Sequence, residues 1–267
     1  MKKLASKVAT ATIALLAVCT SAPSAQAKVA TEAVIFSAGQ IESHSFVAAD
    51  DSLLSRRPGI LVAPEFWGLN DYPKTRAKML ARLGYVALAM DLYGDGRVTT
   101  DPKQAGAWAS ALETGDRTEL RQRISAALAK LKSDPRVDPS RTAAIGYCFG
   151  GTAVLELARS GADLRGVVSF HGHPAPAVPA RPGEIKARIL VLAGADDPFV
   201  PPVQLEAFEQ EMRAAGADWE IDVYGGARHS FTNPAADQYH VSGLAYNREA
   251  DQRSWTAMQD FFKETLR

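Results

Sequence analysis

Cysteine is scarce in this chain of 267 residues: there are two, at positions 19 and 148. There is no surplus of either charge, because 30 basic residues stand against 30 acidic ones. That balance removes the electrostatic footprint expected of a nucleic-acid binder or of a protein held on an anionic membrane. Long apolar runs are lacking too. Ala9 to Val18 is apolar but too short to cross a bilayer, and no other segment is a candidate. Internal repeats and low-complexity linkers are also absent.

The short apolar run has another reading. It follows a basic start, Met1-Lys2-Lys3, and precedes Ala25-Gln26-Ala27, an A-x-A cleavage site. Residues 1–27 are therefore expected to be a secretory signal peptide of the Sec type, with the mature, periplasmic chain starting near Lys28. Leu16-Ala17-Val18-Cys19 resembles a lipobox, although Val18 is a poor residue before a lipidated cysteine. Cleavage would remove Cys19 and leave Cys148 alone, with no internal disulfide to form. A lone thiol in an oxidising compartment is a liability unless it is used.

The remaining stretch, 28–267, has the length of one α/β domain, and the full chain's 46% hydrophobic residues are ample for a core. Short strands are expected at Glu32–Phe36 and Ser43–Ala48, as an antiparallel start to a sheet, and again at Gly59–Ala63, Tyr85–Met90, Thr142–Ile145, Leu164–Phe170, Ile189–Ala193 and Trp219–Tyr224. Helices are expected at Asp71–Leu83, Arg117–Lys132, Thr152–Arg159, Pro202–Ala215 and Ala245–Leu266. Asp91 to Asp116 is rich in turn residues and fits a lid. This alternation predicts a mostly parallel sheet covered on both faces, with ligands bound beyond the strands' carboxyl ends.

Chemistry concentrates at those ends. Gly146-Tyr147-Cys148-Phe149-Gly150 joins a strand to a helix as G-x-C-x-G, a nucleophile elbow with sulfur in place of a hydroxyl. The turn strains the nucleophile's backbone and points the helix N-terminus at it. Asp196 and Asp197 follow a later strand and His229 follows the next, so nucleophile, acid and histidine occur in hydrolase order. Asp197 is the preferred acid, since Pro198 and Val200-Pro201 fix its turn, with Asp196 as the alternative. In this reading Cys148 attacks as thiolate, His229 moves the proton, and the aspartate fixes the imidazole's tautomer. His171 and His173 have H-x-H spacing, but without a third ligand they fit pocket lining or loop structure better than a metal site. His44 and His240 carry no signal.

The motifs Pro64-Glu65-Phe66-Trp67-Gly68-Leu69-Asn70, Asp91-Leu92-Tyr93, Gly146–Gly151, Asp197-Pro198-Phe199-Val200-Pro201 and His229-Ser230-Phe231 together resemble the dienelactone hydrolase family, from about Gly59 to Phe262. The resemblance implies an α/β-hydrolase fold, a Cys148–His229–Asp197 triad that opens lactones or esters, and no metal or organic cofactor. It also implies a Glu65 that contacts and restrains the resting thiol, and an oxyanion hole at the backbone N–H groups of Phe66 and Phe149. Trp67, Tyr93, Arg97, His171 and Phe231 are expected to wall the pocket. Members acting on dienelactones grip the substrate carboxylate with two arginines, where this chain has Asp95 and Asn233. Arg97 and Arg228 lie nearby. The expected substrate is accordingly a neutral ester or lactone. A general carboxylesterase or thioesterase and a non-catalytic ligand binder are the alternatives, and the expected assembly is a monomer or a homodimer.

Overall fold

The computed structural model describes residues 27–267; the signal-peptide and lipobox readings lie outside them. The chain opens with two long strands, β1 (Val29–Ala38) and β2 (Ile41–Asp50). They are joined by a tight turn and pair antiparallel along their whole length. Six parallel strands follow: β3 (Arg57–Ala63), β4 (Val86–Ala89), β5 (Val137–Tyr147), β6 (Gly166–Phe170), β7 (Arg188–Gly194) and β8 (Trp219–Tyr224). One eight-stranded sheet results, in the order β1-β2-β4-β3-β5-β6-β7-β8.

The central strands are apolar throughout because both faces are covered, and neighbouring residues point to opposite sides. Leu61, Ala144, Val167 and Val191 pack with α3 (Thr118–Lys132), α4 (Phe149–Arg159) and α5 (Pro202–Ala215). Ile60, Val62, Ile145, Val168 and Leu192 pack with α1 (Asp71–Arg82) and α6 (Arg248–Thr265) on the other face. Strand order reverses around β3, with β4 on one side and β5 on the other. The carboxyl ends at such a reversal form a natural crevice, and β5 delivers Cys148 there.

The structure departs from expectation in the lid. Asp91–Asp116 is not all turn; it contains α2 (Pro102–Glu113). Asp101 caps this helix by accepting the Lys103 N–H at 2.9 Å, and Pro102 opens it. Helix α4 begins at Phe149 rather than Thr152, directly behind the nucleophile turn, and α6 begins at Arg248 rather than Ala245 because Asn247 caps it.

Candidate active site

Cys148 has φ 53° and ψ −119°, a region that side-chain-bearing residues rarely adopt. The neighbouring glycines allow the turn. A Cβ on Gly146 would meet the Gly150 carbonyl oxygen at 1.9 Å, and one on Gly150 would meet that of Ala63 at 2.3 Å. With strand and helix pressed together, the half-buried thiol stands at the N-terminus of α4. There the helix's positive end favours an anion.

The loop after β7 supplies Asp197 and the loop after β8 supplies His229, both buried. Asp197 Oδ2 lies 2.8 Å from His229 Nδ1. Its Oδ1 accepts the N–H groups of Phe199 at 2.8 Å and Val200 at 3.3 Å, so the turn orients the carboxylate. Asp196 is exposed and takes no part in this pairing. Burial alone pushes the His229 imidazole down. Its interactions with Cys148 and Asp197 outweigh it and push the group up to about 10. Cys148 and His229 line one cavity of about 300 Å³, together with Phe66, Phe149, His173 and Phe199. Helix α2 closes its far side with Ala109, Ser110 and Glu113.

Phe66 and Phe149 flank the thiol from two chain segments. As the first residue of α4, Phe149 has an N–H with no partner inside the helix. The Phe66 N–H bonds no acceptor among the described residues, and the Tyr93 hydroxyl holds that loop by donating to the Phe66 carbonyl at 3.1 Å.

Glu65 differs from expectation. It is buried, but both carboxylate oxygens are taken: Ser230 Oγ donates at 2.7 Å and Asn233 Nδ2 at 2.6 Å. No hydrogen bond joins it to Cys148. Burial raises its carboxyl, and the two donors partly offset that. Asn233, at the position of one missing arginine, thus ties Glu65 to the loop that carries His229.

The residues expected to wall the pocket, Trp67, Tyr93, Arg97, His171 and Phe231, are not among those that line the cavity. Trp67 is fully buried and stacks on Tyr239 at 3.9 Å. Tyr93 is buried against Trp108, and Phe231 packs edge-on against His171. Arg97 turns back to the carbonyls of Tyr93 at 2.9 Å and Gly94 at 3.3 Å, while Arg228 is exposed; neither lines the cavity. His171 is buried under His229. Its Nδ1 accepts the Cys148 backbone N–H at 3.1 Å and its Nε2 meets Thr232 Oγ1 at 2.7 Å. The first contact requires a bare Nδ1, so Nε2 carries the proton and donates to Thr232. Burial and the nearby His229 hold this imidazole well below its ordinary range, and so neutral. His173 does line the cavity. The α2 residues were not anticipated from sequence, although Asp101-Pro102 was a readable helix start.

The sequence profile of the Dienelactone hydrolase family matches residues 44–266. The solved structure of a dienelactone hydrolase-like promiscuous phosphotriesterase from metagenomic libraries superposes with a TM-score of 0.86 at 40% identity, covering 90% of this chain and 99% of that one. An uncharacterized protein of Caenorhabditis elegans is 41% identical over 157 residues, 57% of this chain and 99% of its own length. A probable 2-oxo-3-(5-oxofuran-2-ylidene)propanoate lactonase of Bradyrhizobium sp is 30% identical over 207 residues, 74% of this chain and 83% of its own. A sharp turn that strains its central residue, set in this sheet and matched along most of its length, places the chain in the dienelactone hydrolase family.

Proposed function

We propose that the protein hydrolyses carboxylic esters or lactones that carry no carboxylate, through Cys148. The observation that carries this reading is the strained thiol at the start of α4, sharing a cavity with an imidazole whose other nitrogen is 2.8 Å from a buried aspartate. The Cys148 thiolate attacks the carbonyl carbon, and the oxygen gains the negative charge. The N–H groups of Phe66 and Phe149 receive that oxyanion. The C–O bond to the alcohol breaks as protonated His229 gives its proton to the leaving oxygen, forming a thioester. His229 then takes a proton from water, the hydroxide attacks the thioester, and the acid leaves as the thiolate returns. Asp197 keeps Nδ1 protonated and stabilises the imidazolium. Glu65 supports this cycle by anchoring the His229 loop rather than by touching sulfur.

The cavity lining supports a substrate without a carboxylate: among the described residues no arginine or lysine lines it, and the one carboxylate there, Glu113, disfavours an anion. The likeness to a promiscuous phosphotriesterase makes a neutral phosphotriester a sensible second probe, attacked by the same sulfur. The N-terminal residues make this an exported, periplasmic enzyme. Hydrolysis of p-nitrophenyl butyrate and a neutral lactone tests the activity. Turnover well above a Cys148→Ala control is expected, and turnover equal to that control across esters and lactones overturns the proposal.

A further inference from the structure

The far wall of the cavity carries a group the proposed cycle does not use. Glu113 is the last residue of α2, half-buried, and it faces the space in front of Cys148 and His229. Its position is unfavourable in three ways. Burial pushes its carboxyl up, with Arg117 opposing that and Glu156 reinforcing it. It stands at the negative end of a helix whose last turn has no basic residue. It makes no hydrogen bond and no ion pair with any described residue. The nearest cation, Arg117, is committed elsewhere: its Nη1 donates to Glu156 Oε1 at 3.0 Å and to the Ala175 carbonyl at 3.0 Å. Behind it, Arg121 and Arg159 also bind Glu156 and do not reach the cavity. Burial and the helix dipole both disfavour this carboxylate, and the cavity is the side on which a cationic partner would meet it.

The rest of that lining says which partner. Phe66, Phe149 and Phe199 line the same space, with Ala109 and Leu244 adding aliphatic surface. Aromatic faces with one carboxylate attract a large, weakly hydrated cation, because ring quadrupoles and a formal charge act together while alkyl groups fill the apolar surface. Resting on the ester-hydrolase reading above, we propose that this cavity selects esters bearing an alkylated ammonium group, with Glu113 as the specificity-determining residue.

The test uses isosteric pairs in which carbon replaces nitrogen. Butyrylcholine is compared with 3,3-dimethylbutyl butyrate, and methyl 4-(trimethylammonio)butanoate with methyl 5,5-dimethylhexanoate, so the cation is offered on either side of the ester. The butyrate ester of 3-hydroxypropionate supplies the anion. In the wild-type enzyme, kcat/KM for one cationic ester is expected to exceed that of its neutral twin by about five- to thirtyfold, mainly through KM, the range for a partly desolvated cation contact. In Glu113→Gln that ratio should fall at least about threefold, and the remainder is the share of the aromatic rings. Equal wild-type rates within both pairs, with Cys148-dependent turnover intact, overturn this inference and leave the esterase reading standing. A preference for the anion overturns it too and assigns control of the cavity to Arg117. No turnover of any ester overturns both readings. The wild-type ratios decide the matter even if the variant is unstable.

Discussion

Replacing Asp197 by asparagine separates charge from shape. Asp197 Oδ1 is held by the N–H groups of Phe199 and Val200, and an amide oxygen can keep both bonds. The amide nitrogen then points at His229 Nδ1, 2.8 Å away in the native pair. Two donors cannot share that contact, so the ring gives up its Nδ1 proton and carries it on Nε2. An imidazole in that tautomer cannot accept a proton from the thiol or from water. The lost attraction for the imidazolium is about 4–6 kcal/mol at this separation with an effective dielectric of about 20. At about 1.4 kcal/mol per tenfold, kcat should fall by roughly 10³- to 10⁴-fold. The assay is steady-state hydrolysis of p-nitrophenyl butyrate, with Tm measured alongside to verify folding. The exposed Asp196, as Asp196→Asn, serves as the control. A folded Asp197→Asn enzyme that loses less than about tenfold would refute the tautomer argument.

Other expectations follow from the same contacts. His171→Phe removes the acceptor of the Cys148 N–H and the donor to Thr232, although Phe170 still accepts that N–H at 3.0 Å. The loss should be about 2 kcal/mol in denaturant unfolding, and His171→Gln, able to accept and donate, should recover most of it; equal effects of the two would deny the relay. Imidazole NMR should find His229 protonated at pH 8 in the wild type, and its titration moved to lower pH in Cys148→Ala, where the contributions of the sulfur are gone. Because the native value is raised, the stability contributed by that proton is complete below the ordinary value near 6.5 and is lost as pH rises through about 10. An unchanged titration in Cys148→Ala would sink the ion-pair description. For export, the intact mass of the purified periplasmic protein should correspond to a start near Lys28, and a full-length cytoplasmic chain would contradict it.

Much of this fold was legible because its signals are local. The central strands are short apolar runs between turn residues, as burial on both faces requires, and each reacting group follows its own strand. Glycines 146 and 150 were readable for the same reason, since steric crowding at a strand-to-helix turn leaves few substitutes. Helix α2 was not. Its buried residues are Ala105, Ala109 and Leu112, mostly small, and Gly106 and Pro102 suggest loop. Such a helix owes its stability to packing of its buried residues on the core and little to its own pattern. The pocket wall was also illegible. Residue type says that Phe66, Trp67, Phe199 and Phe231 are apolar, but only tertiary contacts decide that Phe66 and Phe199 line the cavity while Trp67 and Phe231 are fully buried away from it. Glu65 was found by its motif, and its partner was misjudged because Ser230 and Asn233 lie far away in sequence.

The account's central claim is a covalent intermediate on Cys148, and trapping it is the most direct test. The enzyme is mixed with excess p-nitrophenyl butyrate, quenched in acid within milliseconds, digested and measured by mass spectrometry. One butyryl group on the peptide containing Cys148, released as the reaction proceeds and absent in Cys148→Ala, is the predicted result. Hydrolysis at full rate with no acyl group on that cysteine, or undiminished turnover by Cys148→Ala, would contradict the account.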